Sequence, residues 1–471
     1  MTTTLTAQAT AAKTTAGEFI VRNPATGEEI GRLPLTPAVD ADAVLNRARS
    51  AVPVAAGLSR YARAEVLDRA SRALEARAEQ FADQIVAEAG KTIRQARKEV
   101  GRAVTTLSLS AAEARRGGGE VIPFDAYAGG EDRQGWFTRE PLGIVLAITP
   151  YNDALNLVAH KLGPAIAGGN AVILKPAQQT PYSARLLVDL LREHGLPEEV
   201  VTVVHGDRHL TGALIAARDV RMVSFTGGFR TGEAITRTAG IKRLAMELGG
   251  NAPVIVFADA DLPVAVDAIV SGAFWAAGQN CVGAQRILVH DDIYSEFREA
   301  FVSRSRELRT GDPRDERSDV GPMISEDAAR AAADTVLSAV AAGARVLCGG
   351  VPDGPFLPPT VVERVPSDHQ LCREEVFAPV AILERFSNYS EAIARANDVE
   401  YALHAGVFTR DLSMALRAAA DIEAGGVMIN DSSDYRIDAM PFGGAKYGSM
   451  GREGVRFAYE EMTQPKVVCI S

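Results

Sequence analysis

Cysteine is scarce in this chain: four in 471 residues, at 281, 348, 372 and 469, with no C-x-x-C pair among them. That spacing speaks against zinc and dithiol redox sites, and free thiols are the expectation for a long intracellular chain. Of the seven histidines only His205 and His209 stand at H-x-x-x-H spacing, with Gly206 where the H-E-x-x-H motif has its Glu, so no metal site is expected. Basic charge is not in excess. Lysine and arginine total 50 against 60 acidic residues, for a net charge of -10, which argues against a nucleic-acid partner. No charge-free apolar run approaches the roughly 18 residues of a membrane span. Residues 1–17, "MTTTLTAQATAAKTTAG", lack the apolar core of a signal peptide and the arginines of a transit peptide. They read as a disordered tail on a cytoplasmic protein.

What is present is alternation. Residues 18–35 suggest two short strands around Asn-Pro and Thr-Gly turns. From about 38 to 115 an apolar stripe through Leu67, Ala70, Leu74, Phe81 and Ile85 predicts helices. Gly-rich sequence and "GWFTREP" then suggest an extended arm. Apolar strands follow at "GIVLAI" (143–148), "NAVIL" (170–174), "VVTVVH" (200–205), "DVRMVSFT" (219–226) and "APVIVF" (252–257), separated by helical stretches. A second series includes "RILVH" (286–290) and "GVFTR" (406–410). The expected fold class is α/β, with parallel sheets covered by helices on both faces.

Ligands of such sheets gather at the carboxyl ends of strands. Lys175 ends one expected strand, as a ribose or phosphate ligand or as a plain surface lysine. Gly227 and Gly228 end another and lead into a helix, a phosphate-binding arrangement that matches neither an NTPase loop nor G-x-G-x-x-G. Glu247, before a Gly pair, is either a partly buried base or a salt-bridged carboxylate at a helix end. Cys281 follows an apolar helix expected over about 263–277 and ended by Gly278. A thiol on a loop so supported is a candidate nucleophile, whereas Cys348, Cys372 and Cys469 read as inert.

"ITPYNDALN", "AGGNAVILKPAQQTP", "SFTGG", "MELGGNAP", "GQNC", "EEVFAPV" and "PFGGAK…GREG" occur in one order and spacing. As a set they resemble the non-acylating aldehyde dehydrogenase superfamily. The nearest branch holds the lactaldehyde, non-phosphorylating glyceraldehyde-3-phosphate and phosphonoacetaldehyde dehydrogenases. The resemblance implies a Rossmann-like cofactor domain (18–121 and 142–248), a second α/β catalytic domain (249–448) and a small β oligomerisation arm (122–141 and 449–471). It implies a homodimer or homotetramer that oxidises an aldehyde with NAD or NADP. Cys281 would be the nucleophile, Asn152 the oxyanion donor with the Cys281 N–H, and Glu247 the hydrolytic base. Lys161 and Glu453 would shuttle protons or steady the site. Ile148, Thr149, Pro150, Lys175, Gln178, Gly206, Phe225, Gly227, Gly228, Leu248, Glu375 and Phe377 would contact the cofactor.

Gln178 replaces the family's usual carboxylate, which removes a repulsion against a 2′-phosphate. The expected substrate residues are Arg102, Tyr151, Asp153, His160, Trp275, Asn280, Val282 and Arg436. Asp153 and His160 predict a polar pocket, and Asn280 replaces an arginine that phosphonate-oxidising members place before the nucleophile. A short hydroxylated or singly anionic aldehyde is therefore expected. The alternatives are a CoA-acylating semialdehyde dehydrogenase, which would lack the base Glu247, and a member that has lost activity. A cofactor-free cysteine hydrolase would want a histidine base, and none stands in a recognisable motif.

Overall fold

The computed structural model describes residues 17–471, so the expected tail lies, Gly17 apart, outside the described residues. Two sheets dominate. The first has six strands in the order Ser449–Met450, Arg243–Glu247, Val220–Thr226, Ile144–Ile148, Ala171–Lys175 and Val201–Val203, all parallel except the first. The chain winds outward in both directions from the neighbouring 144–148 and 220–226 strands. Their carboxyl ends, Ile148 and Thr226, flank the switch point at which such sheets bind ligands.

The second sheet has seven strands, ordered Arg345–Cys348, Thr360–Glu363, Val380–Phe386, Ala284–His290, Ala252–Val256, His404–Phe408 and Gly426–Ile429. Only its first strand is antiparallel. Residues 248–251 lead directly from the carboxyl end of the first sheet to the amino end of the second. Cys281, three residues before Ala284, lies at that same amino end.

Four helices, Ala41–Gly57, Arg60–Ala76, Ala78–Ala89 and Ile93–Arg116, precede the first sheet. The stripe Leu67, Ala70, Leu74, Phe81 and Ile85 is fully buried. Ser59 caps the second helix by accepting from the Ala62 N–H at 3.1 Å, and Thr92 with Gln95 forms a capping box on the fourth. The helix Asn156–Gly168 is buried on every side, His160 and Lys161 included. Its polar groups therefore need internal partners. No helix among the described residues is long and apolar enough to cross a membrane.

Three expectations change. Arg243–Glu247 is a strand, so Glu247 does not end a helix. The helix before Cys281 runs Leu262–Phe274 and stops short of Gly278. The arm is narrower at its C-terminal side than 449–471. Gln134–Pro141 pairs with Thr463–Ile470 and with Gly119–Ile122, but Ser449–Met450 joins the first sheet. The helix Val455–Glu461 is tied to the body, with Tyr459 Oη donating to the Gly117 carbonyl at 3.1 Å.

Candidate active site

After Phe274 the backbone turns left-handed three times in succession, at Ala276 (φ 51°), Ala277 (φ 54°) and Gly278 (φ 67°). Left-handed alanines cost roughly 1–2 kcal/mol each, so other contacts must hold the turn. The buried Gln279 supplies them: its Nε2 donates to the Ala276 carbonyl at 3.2 Å and its Oε1 accepts from the Ile324 N–H at 2.9 Å. A Cβ on Gly278 would collide with the Ala378 carbonyl. The turn aims Asn280, Cys281 and Val282 into a cavity of about 620 Å³ at the junction of the two sheets. That volume suits a small-molecule site.

Cys281 is half-buried and packs against Val282, Leu403 and Phe442. Burial pushes its thiol pKa up, and the nearby Arg436 charge opposes this. Asn152, beyond the Ile148 strand tip, donates its Nδ2 to the Gln279 carbonyl at 3.1 Å. The amide is thus tied to the nucleophile loop with one N–H to spare. No partner for the Cys281 N–H occurs among the described residues. Across the cavity is Glu247, 4% exposed, with its Oε2 unpartnered. Burial, and then the Glu453 charge, raise the Glu247 pKa well above the carboxylate range.

Along the cavity wall, and behind it at Asp438, His160 and Lys161, runs a chain of mostly buried charges. Lys91 bonds Glu99 at 2.7 Å and also bonds Asp153. Arg102 reaches Asp153 at 3.2 Å and Asp438 at 2.9 Å. Asp438 holds His160 at 2.9 Å. Arg436 holds Glu453 at 2.9 Å, and Lys161 reaches Glu453 at 3.5 Å and Ser224 at 3.2 Å. Burial works against the Glu453 charge, yet Lys161 and Arg436 together hold its pKa down to about 2. Burial lowers the Lys161 pKa.

These contacts correct part of the expected substrate set. His160 is 1% exposed and lies behind the wall, its pKa lowered by burial. Arg102 and Arg436 line the cavity, but carboxylates of the protein already engage their charges. Tyr151, Asp153, Trp275, Asn280 and Val282 do face the cavity, as do Pro150, Gly227, Gly228, Leu248, Glu375 and Phe377. Ile148, Thr149, Lys161, Lys175, Gln178, Gly206 and Phe225 are not part of its wall. Lining residues that sequence reasoning missed include Lys91, Lys98, Glu99, Asp431 and Asp434. For the last two, the polar run "NDSSDYR" was the available signal.

A profile of the aldehyde dehydrogenase family matches residues 11–468. The chain belongs to that family. It is similar to aspartate-semialdehyde dehydrogenase 1 of Pseudomonas canavaninivorans, 59% identical over 96% of each chain. It is 41% identical to the 3-sulfolactaldehyde dehydrogenase of Priestia aryabhattai, over 98% of this chain and 96% of the relative. Among solved structures, glyceraldehyde-3-phosphate dehydrogenase GapN from Methanocaldococcus jannaschii, complexed with NADP, superposes with a TM-score of 0.92. The two are 39% identical, over 96% of this chain and 98% of that one.

This aldehyde dehydrogenase is thus an NAD(P)-dependent oxidoreductase, and its strand tips fit such a cofactor. The Thr149 Oγ1 is buried and unpartnered. The Lys175 ammonium, at the next tip, has no hydrogen bond or ion pair among the described residues, and burial lowers its pKa. The helix Phe229–Ala239 begins at Gly228 with no side-chain cap, leaving N–H donors for an anion. Glu375, its pKa raised to about 7 by burial, accepts from the Gly250 N–H at 3.1 Å. Phe377 is held at φ 53° and meets Tyr151 edge to face at 5.9 Å.

Proposed function

We propose that this enzyme oxidises a short polar or singly anionic aldehyde to its carboxylic acid through covalent Cys281 intermediates. The reading is carried by Cys281, Asn152 and Glu247 converging on one cavity, with the Asn152 amide tied to the nucleophile loop. The Cys281 thiol gives its proton to solvent water and its sulfur adds to the carbonyl carbon, forming a C–S bond and an oxyanion. The Asn152 Nδ2–H and the Cys281 N–H stabilise that oxyanion. A bound nicotinamide supplies the acceptor for the substrate's hydride. The oxidised carbon is left as a thioester on Cys281. Glu247 removes a proton from water as the water attacks that carbon, the C–S bond breaks and the thiolate leaves. Lys161 and Arg436 hold Glu453 ionised, and its charge in turn keeps Glu247 a strong base.

Lys175 and Gln178 would meet the adenosine ribose, Gly227 and Gly228 the phosphates, and Glu375 and Phe377 the nicotinamide end. Ile148, Thr149, Pro150, Gly206, Phe225 and Leu248 would frame them. The relatives named for aspartate semialdehyde and 3-sulfolactaldehyde support a small substrate with one acidic group. Glu247 argues against the CoA-acylating alternative. The test is a panel of aldehydes run with NAD and NADP, without CoA, and read at the reduced nicotinamide band. Short polar aldehydes are expected to turn over best. NADP is expected to be used within about 1000-fold of NAD, roughly 4 kcal/mol, because Gln178 does not repel its 2′-phosphate. Best turnover of long-chain aldehydes would refute the polar pocket.

The exposed arm supports a homodimer or homotetramer. Val121, Trp136, Val467 and Ile470 are 82, 40, 57 and 54% exposed on a three-stranded sheet with free edges. Apolar edge strands of this kind call for a partner. Sedimentation is expected to give a multiple of the 50.0 kDa chain, and a single-chain mass would overturn the proposal.

A further inference from the structure

Four cations line the cavity: Lys91, Lys98, Arg102 and Arg436. Three are committed to carboxylates of the protein. Among the described residues Lys98 has no ion pair. Its ammonium stands 4.5 Å from the centroid of the Trp275 ring at the cavity wall, a contact that leaves donors free for an anion.

The carboxylates sort in the same way. Glu99, Asp153 and Glu453 are paired with cations, Glu375 accepts from the Gly250 N–H, and Asp431 accepts from the Ser432 N–H at 2.8 Å. Apart from the base Glu247, Asp434 is the lining carboxylate that no cation pairs with and no other residue's backbone N–H engages among the described residues; the Ser432 hydroxyl and its own N–H are its neighbours. It is set against the helix that ends beside Trp275, in space that exists because residue 272 is glycine. A Cβ there would fall 2.7 Å from the Asp434 Oδ1. Burial raises the Asp434 pKa; the Ser432 hydroxyl opposes this, Asp431 adds to it, and Lys98 is close enough to lower it without forming an ion pair. A desolvated carboxylate with no bonded cation is a costly arrangement unless a ligand completes it.

We propose that Lys98 and Asp434 together read the head of a short α-amino-acid aldehyde, Lys98 taking the carboxylate and Asp434 the ammonium. Opposite charges side by side in one cavity match a zwitterion better than a plain dicarboxylic semialdehyde, whose head would leave Asp434 unpaired. The proposal deepens the aldehyde-oxidation reading above and rests on it.

The test compares kcat/KM for aspartate semialdehyde, succinate semialdehyde and butanal. Each ratio is taken within one variant, so that fold or expression defects cancel. In Asp434→Asn the aspartate-to-succinate semialdehyde ratio is expected to fall about tenfold or more, the loss of one charge-assisted contact. In Lys98→Met the succinate semialdehyde-to-butanal ratio is expected to fall several-fold. For wild type that preference should shrink as salt rises, because Lys98 is exposed. If wild type oxidises the aldehydes but neither variant moves its ratio, the zwitterion reading is overturned and the oxidation reading stands. If wild type oxidises none of the three, both are overturned.

Discussion

Cys281→Ala is expected to abolish aldehyde oxidation, with kcat/KM falling at least about 10,000-fold. Without the sulfur no covalent adduct forms, and every later step acts on that adduct. No neighbour substitutes for it. Glu247 is across the cavity, and the other three cysteines do not line it. The loss should be chemical, because the left-handed turn is held by Gln279 and Asn152 rather than by the thiol. The half-buried sulfur touches only a small cluster of Val282, Leu403 and Phe442. The variant should therefore melt within a few degrees of wild type and still quench its fluorescence on titration with NAD or NADP. Residual oxidation above about 1% in a variant free of wild-type contamination would sink the covalent mechanism.

Glu247→Gln should separate the two halves of the reaction. Thioester formation uses Cys281, Asn152 and the bound cofactor, and hydrolysis needs the base. Stopped-flow absorbance should show one reduced nicotinamide released per active site, then a steady rate lowered about 100- to 10,000-fold. In wild type the steady rate should climb as pH rises through the raised Glu247 pKa, because only the ionised carboxylate accepts the proton. The variant should lose that limb. The stability sign is opposite. A carboxyl whose folded pKa is raised contributes stability below its unfolded value, and loses it as pH rises through the folded value. Glu247→Gln should accordingly raise Tm near neutral pH. A steady rate within tenfold of wild type would remove Glu247 from the mechanism.

The α/β class was legible because most of the parallel strands are continuous apolar runs, and the ordered motifs carried the family. The Arg243–Glu247 strand was hidden by its composition: only Met246 and Glu247 are buried, and Lys242 and Arg243 break the run. The early end of the 262–274 helix was hidden because Ala276 and Ala277 are strong helix formers. Tertiary ties at Gln279 override that preference. The charge chain was out of reach for another reason. Asp438 meets His160 from 278 positions away and Arg102 from 336. Sequence reading therefore treated His160, Arg102 and Arg436 as residues facing substrate, although each has an internal partner.

The closing segment of the chain bears on how the protein is made. Ser449 and Met450 complete the first sheet beside Glu247 and Met246, and the Asn170 side chain donates to the Met462 carbonyl at 2.9 Å. Thr463–Ile470 completes the sheet begun by Gln134–Pro141. The first half of the protein thus waits for pieces translated some two hundred to three hundred residues later. On the ribosome its sheet edge and arm stay open through most of synthesis, which makes that interval the period of greatest exposure to misassociation between nascent chains.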